Sequence, residues 1–246
     1  MPKFCANLTM LYNEHDFLDR FDAAARAGFR GVEYLFPYAF PKDAIAERLV
    51  KNRLTQVLHN LPAGDWAAGE RGIACIPGRE REFQDGVGTA IEYASALGCR
   101  QLNCLVGVPP AGVSRDQAHE TTVANLRFAA SKLAGAGIRL LIEPVNTRDI
   151  PGFFLCHTKQ ALGIIETKQR FVAVGVFEAP HVWCCCVARV TRRRVSARAR
   201  TWEIGAVSSG SSANMAFPRE SMGIDCFTWN IRTKRQNVKL ALLGKN

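Results

Sequence analysis

Arg139-Leu140-Leu141-Ile142-Glu143-Pro144-Val145-Asn146 is the stretch that decides the fold. Three aliphatic side chains in succession form a continuous apolar run. That is the pattern of a parallel strand buried on both faces, not the alternation of a half-exposed one. The run ends on a carboxylate, and Pro144 has no N–H with which to extend a ladder. In α/β sheets and barrels the carboxyl ends of the strands line the crevice where chemistry is done. Glu143 is therefore a candidate catalytic residue. The competing reading is a strand-end glutamate solvated or paired with a nearby lysine or arginine.

Outward from this strand, the same kind of unit recurs. Strands are expected at Phe4 to Leu8, Gly31 to Leu35, Leu54 to Leu61 and Gln101 to Val106. Asn7 lies near the end of the first, the second carries Glu33, and the third ends in His59 and Asn60. Helices are expected at Asp16 to Ala27, Pro41 to Asn52, Glu80 to Leu97, Ser114 to Leu133 and Thr158 to Thr167. In the first of these, Phe17, Leu18, Phe21, Ala24 and Ala25 follow the i, i+3, i+4 spacing of an amphipathic helix. Gly28 and Gly98 stand where helices stop, and Ser114 with Gln117 reads as a capping box. Strand and helix alternate five times, which argues a parallel sheet with right-handed crossovers. No G-x-G-x-x-G follows the first strand and no P-loop occurs, so a closed (β/α)8 barrel is favoured over a nucleotide-binding open sheet. The length of 246 residues suits one such barrel, which typically takes about 250 residues.

The connection from Pro62 to Arg79 is long, since βα loops usually take about 2–6 residues. Long loops on the strand-end face of a barrel commonly cover its site. This one carries Asp65, Trp66, Glu70, Arg71 and Arg79. A guanidinium there would bind a substrate carboxylate bidentately. The alternative is that the arginines pin the loop through Asp65 or Glu70. His59 and Arg71 are candidate substrate-binding residues on this account.

Composition narrows the class further. No apolar run approaches the roughly 18 residues of a membrane span. The N-terminus lacks the basic and apolar segments of a secretory signal, so a cytoplasmic protein is expected. Nine cysteines without framework spacing read as reduced thiols, and Cys184-Cys185-Cys186 is not a zinc spacing. The net charge of +10 is unevenly placed: residues 1–168 hold 19 Lys/Arg and 18 Asp/Glu, whereas residues 169–246 hold 13 and 4. A basic segment of this kind can contact phosphates, but no aromatic residue interleaves Arg189 to Arg200, so nucleic acid is not the expected partner.

Five segments carry a family resemblance: FCANLTMLYNEHDFLDRF, AGFRGVEYLFPY, LHNLPAGDWAAGERGIACIPGRE, QLNCLVGVPPAG and LLIEPVNTRDIPGF. Together they resemble the hydroxypyruvate isomerase family, cytosolic (β/α)8 TIM-barrel enzymes of the xylose-isomerase-like superfamily. The resemblance is continuous from residue 1 to about residue 168. It implies isomerisation of hydroxypyruvate to 2-hydroxy-3-oxopropanoate, with two glutamates sharing the acid/base work. Glu143 matches the first of them by its motif. Relatives in the superfamily hold a divalent cation, so either no cofactor or a divalent cation (Mg2+ or Mn2+) is expected. A 2-oxo-tetronate isomerase is the alternative within the family. The metal-dependent endonuclease branch needs more His and carboxylate ligands than five histidines offer. A small hydroxy-oxo acid is the implied partner, and a homo-oligomer is compatible with it.

Beyond Lys168 the pattern fades. Phe171 to Phe177 reads as a sixth strand, followed by Glu178 and, three residues on, His181. The family has Asp-x-x-His at this distance beyond its Gln-Ala-Leu, here Gln160 to Leu162. Glu178 is therefore a candidate metal ligand together with Glu143, and His181 a candidate substrate contact. The Gly-Cys-Glu-Tyr strand that brings the family's second glutamate does not occur; Asp225 is the only acid near that place. Arg192-Arg193-Arg194, the serine-rich 208–212 and the lack of amphipathic periodicity suggest a segment foreign to the family, such as a shifted reading frame. A single domain over 1–246 is expected, family-like to 168 and divergent after it. Without native strands six to eight, such a barrel is expected to show unpaired edges and an open core and to work poorly as a catalyst.

Overall fold

The computed structural model describes residues 3–166 and, beyond them, the backbone of four strands. Five parallel strands come first: β1 (Lys3–Asn7), β2 (Gly31–Glu33), β3 (Thr55–Asn60), β4 (Gln101–Cys104) and β5 (Arg139–Ile142). Between them run α1 (Arg20–Arg26), entered through a 3-10 turn at Phe17–Asp19, then α2 (Lys42–Asn52), α3 (Glu80–Ala96) and α4 (Arg115–Gly135). Helix α5 (Thr158–Glu166) follows β5. The order is the one expected from the sequence, and the stop signals act as read. Gly28 and Gly98 take left-handed φ values of +89° and +63° just past α1 and α3. The Ser114 hydroxyl accepts from the Gln117 N–H at 3.2 Å, and the Gln117 side chain accepts from the Ser114 N–H at 2.9 Å. This reciprocal cap starts α4.

The strands are shorter at their carboxyl ends than the apolar runs suggest, because the last residues turn out of the ladder into the loops. Past β5, the Val145 N–H donates to the Leu155 carbonyl at 2.9 Å rather than to a strand. Pro144 makes that departure obligatory on one side.

Sheet alternation sorts the core into two regions. Ala6 and Val32 pack with Phe21, Ala24, Ile45 and Leu49 from α1 and α2. Leu102, Cys104, Leu140 and Ile142 pack with Phe83, Val87, Leu126 and Leu133 from α3 and α4. These positions face the helices. Their strand neighbours, among them Asn7, Glu33, Asn103 and the fully buried Leu141, face the barrel interior.

Strand β6 (Val172–Ala179) continues parallel to β5, two residues beyond the expected end at Phe177. Then the βα repeat gives way. Strands β7 (Val182–Ala188), β8 (Ile224–Arg232) and β9 (Asn237–Leu243) pair antiparallel, and β9 pairs antiparallel with β1 to close the barrel. The expected open edges are not observed: β9 covers β1, and β6 covers β5. An exposed row of backbone N–H and C=O groups is a template for any strand the chain can offer. Among the described residues no helix is long and apolar enough to cross a membrane.

Candidate active site

Five polar side chains gather at the carboxyl ends of β1 to β5, on the interior face. The Asn7 amide donates to Glu33 Oε1 at 2.9 Å across β1 and β2, and both residues are nearly inaccessible. On the other strands Asn103 is central. Its amide nitrogen donates to Asn60 Oδ1 at 3.1 Å and to Glu143 Oε2 at 3.2 Å. Glu143 itself is half-buried. Leu140 to Ile142 fix β5 in the wall, and Glu143 follows at the first position past the ladder.

The long loop lies over the β4 end of this mouth. Ile73, Ala74 and Cys75 are buried, the Cys75 N–H donates to the Val106 carbonyl at 3.0 Å, and Asn125 of α4 donates to the Ala74 carbonyl at 3.0 Å. Gly72 makes the approach possible. Its φ is +119°, and a Cβ there would sit 2.1 Å from the Leu105 carbonyl oxygen, while one on Gly107 would sit 2.2 Å from the Gly72 oxygen. Two backbones touch where no side chain has room. Gly72→Ala is expected to destabilise the protein by about 1–3 kcal/mol and to increase protease cleavage within 62–79, read by urea melts and limited proteolysis. An unchanged midpoint and unchanged cleavage would remove this role for Gly72.

The loop arginines pin the loop. Arg79 forms a two-pronged pair with Glu70 and another with Glu82, and Arg79 bonding holds the Glu70 carboxyl below the usual carboxylate range. Arg71 lies over the Trp66 ring at 4.1 Å and donates to the Trp66 and Glu70 carbonyls at 3.1 and 2.8 Å. The expected substrate contact at Arg71 is thus found engaged with its own loop. His59 is placed away from the site. Asn60 faces the interior, so its neighbour His59 faces the helices, fully buried between Tyr34 and Tyr38. The expectation of a substrate contact at His59 does not match this placement: a strand end alternates, and only one of two adjacent side chains reaches the mouth. His181 lies outside the described residues, as do the side chains of Glu178 on β6 and Asp225 on β8.

Among the described residues no three His, Cys, Asp or Glu side chains come together. Glu143 is met by an amide of Asn103. The described residues therefore do not by themselves make a divalent-cation site, since hard cations take mostly carboxylate and carbonyl oxygens.

The family described as xylose isomerase-like TIM barrel matches residues 21–185. The chain belongs to that family. Hydroxypyruvate isomerase of Escherichia coli K12 is 60% identical over 166 residues, which cover 68% of this chain and 64% of that protein. A 2-oxo-tetronate isomerase of Cupriavidus necator is 52% identical over 155 residues, 63% of this chain and 60% of its own length. The chain thus spans less than two-thirds of the length of both curated relatives. A crystal structure named as an AP endonuclease, family 2, from Brucella melitensis superposes with a TM-score of 0.69 at 50% identity, over 71% of this chain and 68% of that one. Asn103 is the residue of this cluster least visible in the sequence. Its signal is an asparagine between the apolar Leu102 and Cys104, repeated by Asn7 and Asn60 at the ends of β1 and β3.

Proposed function

We propose that this protein interconverts hydroxypyruvate and 2-hydroxy-3-oxopropanoate, with Glu143 as the proton carrier. The observation that supports this most directly is a strand-end carboxylate held by a buried amide at the interior mouth of the barrel. The 60% identity to the hydroxypyruvate isomerase supports the choice of substrate. The reaction needs one group that takes a proton from the hydroxymethyl carbon. The C–H electron pair becomes the C=C bond of an enediolate, and the carbonyl pair moves onto its oxygen. Return of the proton at the neighbouring carbon, with transfer of the hydroxyl proton from one oxygen to the other, gives the aldehyde product. A single carboxylate beside both carbons can remove and return the proton. A carboxylate in hydrogen-bond reach of its proton typically contributes about 10²–10⁴-fold.

A four-carbon 2-oxo-tetronate substrate is the second reading, favoured by the relatives of that name at 52% and 43% identity. A third is a family member impaired by loss of the second glutamate. The deciding experiment is turnover of hydroxypyruvate and of 2-oxo-tetronate by the purified full chain, with and without Mg2+ or Mn2+. Preferential turnover of hydroxypyruvate is expected. Preference for the four-carbon acid would replace the first reading by the second, and no turnover of either by folded protein would leave the third. The same proposal makes the partner a small hydroxy-oxo acid and the location cytoplasmic. Free thiols at Cys75, Cys99, Cys104 and Cys156 agree with a reducing compartment.

A further inference from the structure

The amides beside Glu143 are oriented without ambiguity by what they face. Asn103 turns its NH2 towards Glu143 and donates to Oε2. The second hydrogen of that NH2 goes to Asn60 Oδ1, which fixes Asn60 as well. The result is one leftover atom on each residue. Asn60 Nδ2 and Asn103 Oδ1 are buried and have no hydrogen-bond partner among the described residues, although Asn60 and Asn103 are only 4% and 3% exposed. The two residues sit opposite each other in the ladder, on neighbouring strands about 4.8 Å apart. One orphan is a donor and the other an acceptor. Buried polar groups are nearly always paired, and an orphan pair beside a catalytic carboxylate calls for a ligand that completes it.

We infer that Asn60 and Asn103 form a donor–acceptor clamp for the two adjacent oxygens of the enediolate, a reading that rests on the isomerase proposal above. Asn60 Nδ2 donates to the oxygen that becomes negative as the carbonyl pair moves onto it. Asn103 Oδ1 accepts from the neighbouring hydroxyl, whose proton it keeps in line for transfer. Both groups are set before substrate arrives, because Glu143 orients Asn103 and Asn103 orients Asn60. Donors aimed in advance at a developing oxyanion act on the transition state more than on the ground state. The clamp takes ligands with two neighbouring oxygens, one anionic and one protonated. A substrate lacking the hydroxyl next to its carbonyl would leave Asn103 Oδ1 orphaned, so pyruvate is discriminated against at this pair.

The test uses Asn60→Ala and Asn60→Asp in the full chain, with two readouts. The first is turnover of hydroxypyruvate. The second is calorimetric binding of glycolohydroxamate, whose adjacent oxygens mimic an enediolate. Asn60→Ala is expected to lower kcat by about 10²–10³-fold with KM little changed, and to weaken glycolohydroxamate at least tenfold. Asn60→Asp keeps the acceptor for Asn103 and puts an anion where the donor was, so it is expected to be at least as inactive. Asn60→Ala also removes the Oδ1 that accepts from Asn103, so a lowered thermal midpoint is expected in either case and the mimic decides: a purely structural asparagine would lower the midpoint and leave the mimic bound. Values of kcat and mimic affinity within threefold of wild type in Asn60→Ala would overturn the clamp. An inactive wild type that binds the mimic, with Asn60→Ala losing that binding, would keep the clamp and overturn the isomerase reading. A wild type that neither turns over nor binds the mimic would overturn both.

Discussion

Glu143→Gln is expected to lower kcat for hydroxypyruvate by about 10²–10⁴-fold while KM and stability stay close to wild type. The substitution is nearly isosteric and keeps an oxygen where Oε2 accepts from Asn103 at 3.2 Å. What is lost is the ability to take up and return a proton. That ability is used only in the transition state, so the loss falls on kcat rather than on KM. The strand itself should not notice, since β5 is held by Leu140, Leu141 and Ile142, which are buried on both faces of the wall. Steady-state kinetics with a thermal melt on the same sample check both halves. A variant that retains its kcat would take the proton-transfer role from Glu143 and give it to a group outside the described residues. A variant that loses kcat together with several degrees of melting temperature would make Glu143 a structural partner of Asn103 first. Activity lost in the variant but present in wild type would also mean that the divergent third of the chain completes a working mouth.

The units around Glu143 were readable because each obeys a local rule. Apolar runs ended by glycine and polar residues gave the strands, and the capping box of Ser114 and Gln117 is present in the structure as spelled. The role of Glu143 could be proposed from one strand because a carboxylate after three aliphatic residues has few other reasons to be there. The difference between the expectation for His59 and its buried placement has an equally local cause. His59 and Asn60 are adjacent polar residues at one strand end, and the sequence does not say which of them faces inward. That depends on the register of β3 against β2, which shifts between Val32 and Glu33. The loop arginines were ambiguous for a different reason. A guanidinium binds an internal carboxylate and a substrate carboxylate by the same geometry, and only the fold brings Glu70 and Glu82 to Arg79. The orphan atoms of Asn60 and Asn103 are legible only in three dimensions, because they result from how a chain of hydrogen bonds ends. Past Lys168 the sequence supplies neither βα periodicity nor the family's second glutamate, and the strands after β6 pair antiparallel.

His59 makes the protein acid-labile in a window set by its burial. The ring is enclosed by Tyr34, whose centroid lies 6.3 Å away with the planes nearly parallel, and by Tyr38 at 6.0 Å, edge-on. Neither ring nitrogen has a hydrogen-bond partner among the described residues. Burial therefore pushes the imidazole pKa down to about 3 from its ordinary value near 6.5. In the unfolded chain the ring takes a proton below about pH 6.5. Between these values the unfolded state binds more protons than the folded one, so stability rises with pH. The stabilisation is complete above about pH 6.5 and is lost progressively as pH falls towards 3, by up to about 1.4 kcal/mol per pH unit and on the order of 4–5 kcal/mol in total. The groups packed around the ring do not titrate there: burial raises the Tyr34 and Tyr38 hydroxyls, and pushes the Cys99 thiol up to about 12. Carboxylates such as Asp22 and Glu70, both held below their ordinary range by hydrogen bonds, add their own acid lability only below about pH 4.5. His59→Leu removes the titrating group and two orphaned nitrogens together. Its urea midpoint is expected to lie near that of wild type at pH 7.5 and to exceed it increasingly from pH 6.5 down to 4.5. Parallel pH profiles for the two proteins would mean that the ring is solvated or paired in solution, and would return His59 to the candidates for a group that meets substrate.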